Sequence, residues 1–195
     1  MDDNLTTAAF DTAAPNAAPR ASMNIEALKM GGMMAALLIV YTVVLHFAGL
    51  ILSTPAGLLS LVLVVLGIYL GVRNYRDRWQ GGYISYGRAF GMSMLILLYG
   101  SILYGLFMYV YYSTFGADTI PALMQKSEEA TYEMMKGFGM SEDKIEETIE
   151  QSQRSMNPTM LSLGHAGNLI FYGAILSLIV SIFLKRNPER NEPPL

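Results

Sequence analysis

The chain has 195 residues, 52% hydrophobic and only 15% charged, with a formal net charge of −3. A soluble domain carries about a quarter charged residues, so this balance points to a bilayer; with no basic patch to track a backbone, it points away from nucleic acid. The absence of cysteine excludes disulfides, thiolate metal sites and cysteine nucleophiles.

In chain order, residues 1–23 are Ala-, Thr-, Asn-, Asp- and Pro-rich without periodicity, which predicts a disordered N-terminal tail. Met1-Asp2-Asp3 stands where a signal peptide needs a positive region, and no short apolar core with a cleavage site follows. Residues 24–186 then read as a four-helix transmembrane domain. Its first span, about 30–52, contains no formal charge. At 1.5 Å per residue it reaches roughly 34 Å, enough to cross a hydrocarbon core of about 30 Å. Ser53-Thr54-Pro55 ends it and starts the next, with Thr54 placed to cap and Pro55 suited to the first helical position. The second span, about 56–72, closes on Gly67-Ile-Tyr-Leu-Gly71, a spacing that permits close helix approach.

The stretch Arg73–Arg88 gathers four arginines, the only tryptophan and three tyrosines, and reads as a basic interfacial turn. Span three, about 89–112, ends in an aromatic belt that includes Tyr104, Phe107, Tyr111 and Tyr112. Span four, about 160–184, stops at Lys185-Arg186, and 187–195 form a Pro-rich C-terminal tail. Between them the loop 113–158 predicts two helices, Pro121–Lys136 and Glu142–Arg154, broken at Gly137-Phe138-Gly139, with Ser141 placed to cap the second. The expected fold is all-α: an integral membrane protein with four transmembrane helices and an α-helical extramembrane loop between spans three and four.

Lys and Arg set the orientation. One side collects Arg20, Lys29, Arg73, Arg76, Arg78, Arg88, Lys185, Arg186 and Arg190; the first hairpin on the other side has none. Both termini are therefore expected in the cytoplasm, with the protein in the inner (plasma) membrane. The 113–158 loop carries nine acids. Glu142, Glu146 and Glu150 share one helix face and Ile145, Ile149 and Met156 another. Like charges at i,i+4 cost a helix roughly 0.2–0.5 kcal/mol each, and a solvated face is the simplest reading, since no calcium-loop spacing is present.

These residues resemble the bacterial membrane domain-of-unknown-function family forty-one ninety-nine. The resemblance rests on a glycine-containing first span after a short polar lead, on Gly71-Val-Arg-Asn-Tyr-Arg-Asp77 with Gly81-Gly-Tyr-Ile-Ser-Tyr-Gly-Arg-Ala-Phe90, and on Gly139-Met-Ser-Glu-Asp-Lys-Ile-Glu146. It covers about Glu26 to Arg186. The Asn/Asp-Pro step that the resemblance implies after span three is not intact, because Asp118 and Pro121 are separated. It implies architecture and transfers no catalytic residue.

Candidate chemistry lies in two histidines. His46 in span one and His165 in span four are each expected about seven residues from the loop end of their span, roughly 10 Å deep, with Tyr104 level and Asn168 one turn further in. Intramembrane ionisable residues are functional candidates, and Ala35-Thr42-His46, Ser93-Leu97-Gly100-Tyr104 and Leu161-His165-Asn168-Tyr172-Ile175 form stripes able to meet in the bundle. Such a cluster can relay a proton or titrate near an unperturbed value of about 6.5; histidines that hydrogen-bond across helices to specify packing are the plainer reading. Two imidazoles fall short of the three or four ligands that a metal wants, so no metal or cofactor is expected. Arg73, Arg76, Arg78 and Arg88 are candidate lipid-headgroup contacts. Gly173, Ser177 and Ser181 make a small-residue row on a different face from His165, available to an oligomer.

No nucleophile–base pair, metal triad or phosphate loop is present. The expected function is a non-enzymatic accessory or interaction protein that presents an acidic helical loop outside; the alternative is a small oligomeric carrier or channel using the His46/His165 cluster. The expected partners are the lipid bilayer and a second copy or a membrane partner protein, with no nucleic acid.

Overall fold

The computed structural model describes residues 23–186; the two expected tails lie outside them, except for Met23. It contains α1 (Met23–Phe47), α2 (Thr54–Trp79), α3 (Tyr86–Ser113), a short 3-10 turn (Ala117–Thr119), α4 (Ile120–Gly137), α5 (Glu142–Ser155) and α6 (Pro158–Leu184). Four of these, α1, α2, α3 and α6, are long and apolar enough to cross a membrane. Between 28% and 33% of each apolar window is buried within the chain, so most of that apolar surface faces outward. Val40, Val44, Val62, Leu106, Phe171 and Phe183 are exposed. Such a surface suits hydrocarbon and not water. The chain is a multi-span membrane protein.

Two helix ends depart from the expected ones. The first apolar stretch runs to residue 52, but α1 ends at Phe47, because Gly49 takes φ +67°. The Leu50 and Gly49 amides then donate to the Leu45 and His46 carbonyls, closing a Schellman turn. At its other end, α2 continues past residue 72 to Trp79. Nothing breaks the helix before Gly81 (φ +62°) and Gly82 (φ +85°), and arginine is a good helix former. Arg73, Arg76 and Arg78 therefore occupy the last two turns of α2, and the turn itself is confined to residues 80–85. The caps also vary. Ser85 and Asn157 accept the Arg88 and Met160 amides, whereas Ser53, not Thr54, stands at the N-cap of α2, and neither it nor Ser141 makes a side-chain capping bond.

α3 is the centre of the bundle, packed against α1, α2 and α6. Met34, Ile68, Val72, Met92, Ile96 and Leu97 form the core around it. Glycines set the approach. A Cβ at Gly31 would lie 2.7 Å from the Ile96 carbonyl oxygen and 3.0 Å from the Gly100 nitrogen, so α1 and α3 cross backbone to backbone. Gly67 and Gly71 of α2 instead make room for side chains, Gly67 for Met34 of α1 and Gly71 for Ile96 of α3 and Met30 of α1. On α6 the small-residue row does not serve an oligomer. Ser177 and Ser181 are fully buried, and Gly173 lies against the Leu97 side chain. Small residues let α6 approach α3 closely, and this row is used within one chain. Asn168, Tyr172 and Ile175 are correspondingly exposed.

The bundle has two unlike ends. At the arginine end, Ile84 and Arg186 exchange two backbone hydrogen bonds of 3.0 Å, which pins the exit of α6 to the α2–α3 turn. At the hairpin end, α4 and α5 pack on each other. Ile145 is buried between them, and Gln153 donates to Glu128 across the pair at 2.9 Å. Lys126 Nζ donates to the Leu52 carbonyl at 2.6 Å, holding α4 over the α1–α2 connection.

Candidate functional site

The polar groups of the bundle gather where α3 passes between α1 and α6 at the hairpin end. Tyr111 and Tyr112 are consecutive and so point about 100° apart on the helix. Each takes one histidine: His46 Nδ1 shares a hydrogen bond of 3.0 Å with the Tyr111 hydroxyl, and His165 Nε2 shares one of 2.9 Å with the Tyr112 hydroxyl. The imidazoles do not bond to one another. They are joined through the Tyr111 and Tyr112 rings, in edge contact at 5.1 Å between centroids. Tyr104 meets the His165 ring edge-on at 6.3 Å. Thr42 donates its only hydroxyl proton to the Leu38 carbonyl, so Tyr104 donates to Thr42 across 3.0 Å.

Of the four residues expected to cluster, Tyr104 and His165 are in direct contact, and His46 joins through Tyr111. Asn168 does not bond to the cluster. His46 lies in the last turn of α1, because the helix ends earlier than its apolar stretch; its ring packs edge-on against Phe47, Tyr111 and Phe115. In the sequence Tyr111 and Tyr112 stand among the residues of an interfacial aromatic belt. The signal available was the adjacency itself, since two neighbouring tyrosines on a central helix reach two different partners.

Beside this cluster a cavity of about 580 Å³ opens at the hairpin end, between the first half of α2 and the first half of α6. Leu38, Leu61, Val64 and Leu169 contribute its apolar wall; Thr42, Tyr104, Tyr112, His165, Asn168 and Tyr172 its polar one. It reaches no further toward the arginine end than Leu38, Val64 and Gly173, where the packed core begins.

At the arginine end the four candidate headgroup residues part company. Arg76 is 5% exposed, donating to Asp77 Oδ1 at 2.7 Å and to the Leu184 carbonyl at 3.3 Å. It is spent inside the chain, where a guanidinium satisfies an end carbonyl of α6, and is not a free headgroup contact. Arg73 remains half exposed beside Asp77, Arg78 is exposed, and Arg88 is exposed while donating to Gln80 at 2.7 Å. An open cleft of about 550 Å³ here is lined by Arg73, Arg76, Arg186, Tyr69 and Phe183. Glu26 was not singled out by the sequence. It is buried in the first turn of α1, and Lys29 approaches it at 2.9 Å. Among the described residues, no group of three or more His, Asp or Glu side chains is disposed to hold a metal.

The family model described as protein of unknown function (DUF4199) matches residues 28–186. The chain belongs to the DUF4199 family. The match takes in α1 from Leu28 onward, the other three long helices of this DUF4199 protein, the histidine–tyrosine cluster, both cavities and Arg186, whose backbone closes the arginine end. No curated protein and no solved structure matches the chain.

Proposed function

We propose that this DUF4199 protein is a non-enzymatic accessory protein of the inner (plasma) membrane, with both termini cytoplasmic and the α4–α5 hairpin presented outside to a membrane partner. The observation that carries this reading is the hairpin tip. Phe138, in the turn between α4 and α5, is 80% exposed, and Met134 and Met140 beside it are exposed too. They sit at the α4–α5 connection, outside the four long helices. An aromatic anchor with flexible thioethers around it suits a protein interface, and the exposed Glu142, Glu146 and Glu150 nearby favour a basic partner surface.

A photo-crosslinking residue at position 138 is expected to give one discrete protein adduct in cells. The adduct should disappear when Glu142, Glu146 and Glu150 are all replaced by lysine. Adducts with lipid only, or a protein adduct indifferent to the charge reversal, would count against the reading. Orientation has its own test in this cysteine-free chain. An impermeant thiol reagent should modify Glu129→Cys in intact cells and leave Arg78→Cys untouched; the reverse pattern would invert the topology.

One observation favours the second reading, a small carrier or channel acting as an oligomer. His165, Tyr104 and Asn168 line a cavity, and hydroxyl–imidazole pairs can hand on a proton. The cavity stops at the packed core, so a path across the membrane through it would need a further conformation or a second copy. Catalysis ranks third, because each imidazole already spends a ring nitrogen on a tyrosine hydroxyl within aromatic packing.

A further inference from the structure

The hairpin-end cavity changes along its length from cationic to polar to hydrocarbon. At its mouth stands Lys126, whose ammonium uses one of three donors on the Leu52 carbonyl and has two left. Further in are His165 and Asn168, seven and ten residues into α6. His165 also lines the cavity and spends Nε2 on Tyr112; Asn168 lines it and makes no hydrogen bond among the described residues. Beyond them lie Leu38, Leu61, Val64 and Leu169. Among the described residues, no carboxylate lines the cavity.

We propose that this cavity is a binding site for a membrane phospholipid. The phosphate sits at Lys126, an ester carbonyl accepts from Asn168, and one acyl chain runs down the apolar wall of α2. Each part of the ligand meets the chemistry that suits it. The ammonium complements the phosphate, the free amide supplies donors where an ester supplies acceptors, and a void of about 580 Å³ walled by leucine and valine takes a chain that already lies in the bilayer. A neutral lipid would leave Lys126 without its anion. A soluble anion would leave the apolar wall empty. The site is independent of whether the hairpin docks a partner, although Lys126 makes α4 part of it.

Gly57 offers the test, because it lines the cavity and a Cβ there meets nothing within 4 Å. Purified protein in detergent would be incubated with phosphatidylglycerol, or with diacylglycerol of the same chains, and retained lipid counted by native mass spectrometry. The wild-type chain should keep one phosphatidylglycerol. Gly57→Trp, which fills the cavity, should lower retention at least tenfold; Gly164→Trp, an equally open position away from the cavity, should not. Asn168→Leu should weaken retention several-fold in a protein of unchanged melting temperature, and Lys126→Gln should bring phosphatidylglycerol down to the diacylglycerol level. Equal retention by Gly57→Trp and wild type would overturn the site. Equal retention of the two lipids by the wild type would overturn the phosphate assignment.

Discussion

Gly31→Ala is expected to destabilise the bundle, although alanine is the better helix former. Inside a helix the exchange favours alanine by roughly 1 kcal/mol. Against that gain stands the crossing with α3, where the new Cβ would lie 2.7 Å from the Ile96 carbonyl oxygen and 3.0 Å from the Gly100 nitrogen. Both neighbours are backbone, so no rotamer change relieves the contact and the helices must separate. Overpacking of this kind costs about 1–3 kcal/mol before any propensity gain, and separation also loosens Met34, Ile96 and Leu97. The clash should win. Gly164→Ala, with open space around it, keeps only the propensity term and should raise stability slightly. Heating the purified proteins and measuring the folded fraction separates the two; Gly31→Ala melting at or above the wild type would show that α1 and α3 do not cross this closely.

Arg76→Met is the second large effect. Arg76 is 5% exposed, and its guanidinium donates to the Leu184 carbonyl at the end of α6 and to Asp77. Methionine keeps much of the apolar stem and removes every donor. A hydrogen bond from a charged group contributes about 1.5–3 kcal/mol, and the Leu184 carbonyl has little access to water in its place, since that residue is 1% exposed. Arg73→Met should cost less than about 1 kcal/mol, because its ion pair with Asp77 is half exposed and screened. Arg76→Lys should recover only part of the loss, as an ammonium lacks the planar fork. Amide hydrogen exchange gives the local readout. Ile84 and Arg186, paired beside Leu184, should exchange faster in Arg76→Met and stay protected in Arg73→Met. Identical protection in the two variants would remove Arg76 from the closure of the arginine end.

The four long helices and the helical pair between α3 and α6 were legible in the sequence, for physical reasons that need no partner. An uncharged apolar run of about twenty residues has few places to go but a bilayer, and there only a helix satisfies its own backbone. Gly137 to Gly139 likewise interrupts any helix that reaches it. What the sequence could not decide was which face of each helix turns inward. Hydrophobic residues are acceptable on both sides of a helix in lipid, so the pattern that distinguishes core from surface in water is nearly erased. Gly173, Ser177 and Ser181 could therefore be assigned to an oligomer until α3 was seen to fill that groove. Helix ends were equally local yet undetermined, since apolar residues 48–52 continue the hydrophobic stretch while Gly49 leaves the helix.

The candidate site divides along the same line. Two histidines among uncharged spans announced themselves by composition, as did the arginines that follow the second span. Their partners did not. Tyr111 and Tyr112 each bind a histidine only because α3 lies between α1 and α6, and Arg76 is buried only because α6 ends beside α2. By itself the sequence determined that this DUF4199 chain makes four membrane-length helices, because chain-local hydrogen bonding and hydropathy suffice for that. The order of packing around α3, the tyrosine bridge between the histidines and the lipid-sized cavity beside them were decided by tertiary structure, because each depends on side chains far apart in sequence meeting at one place.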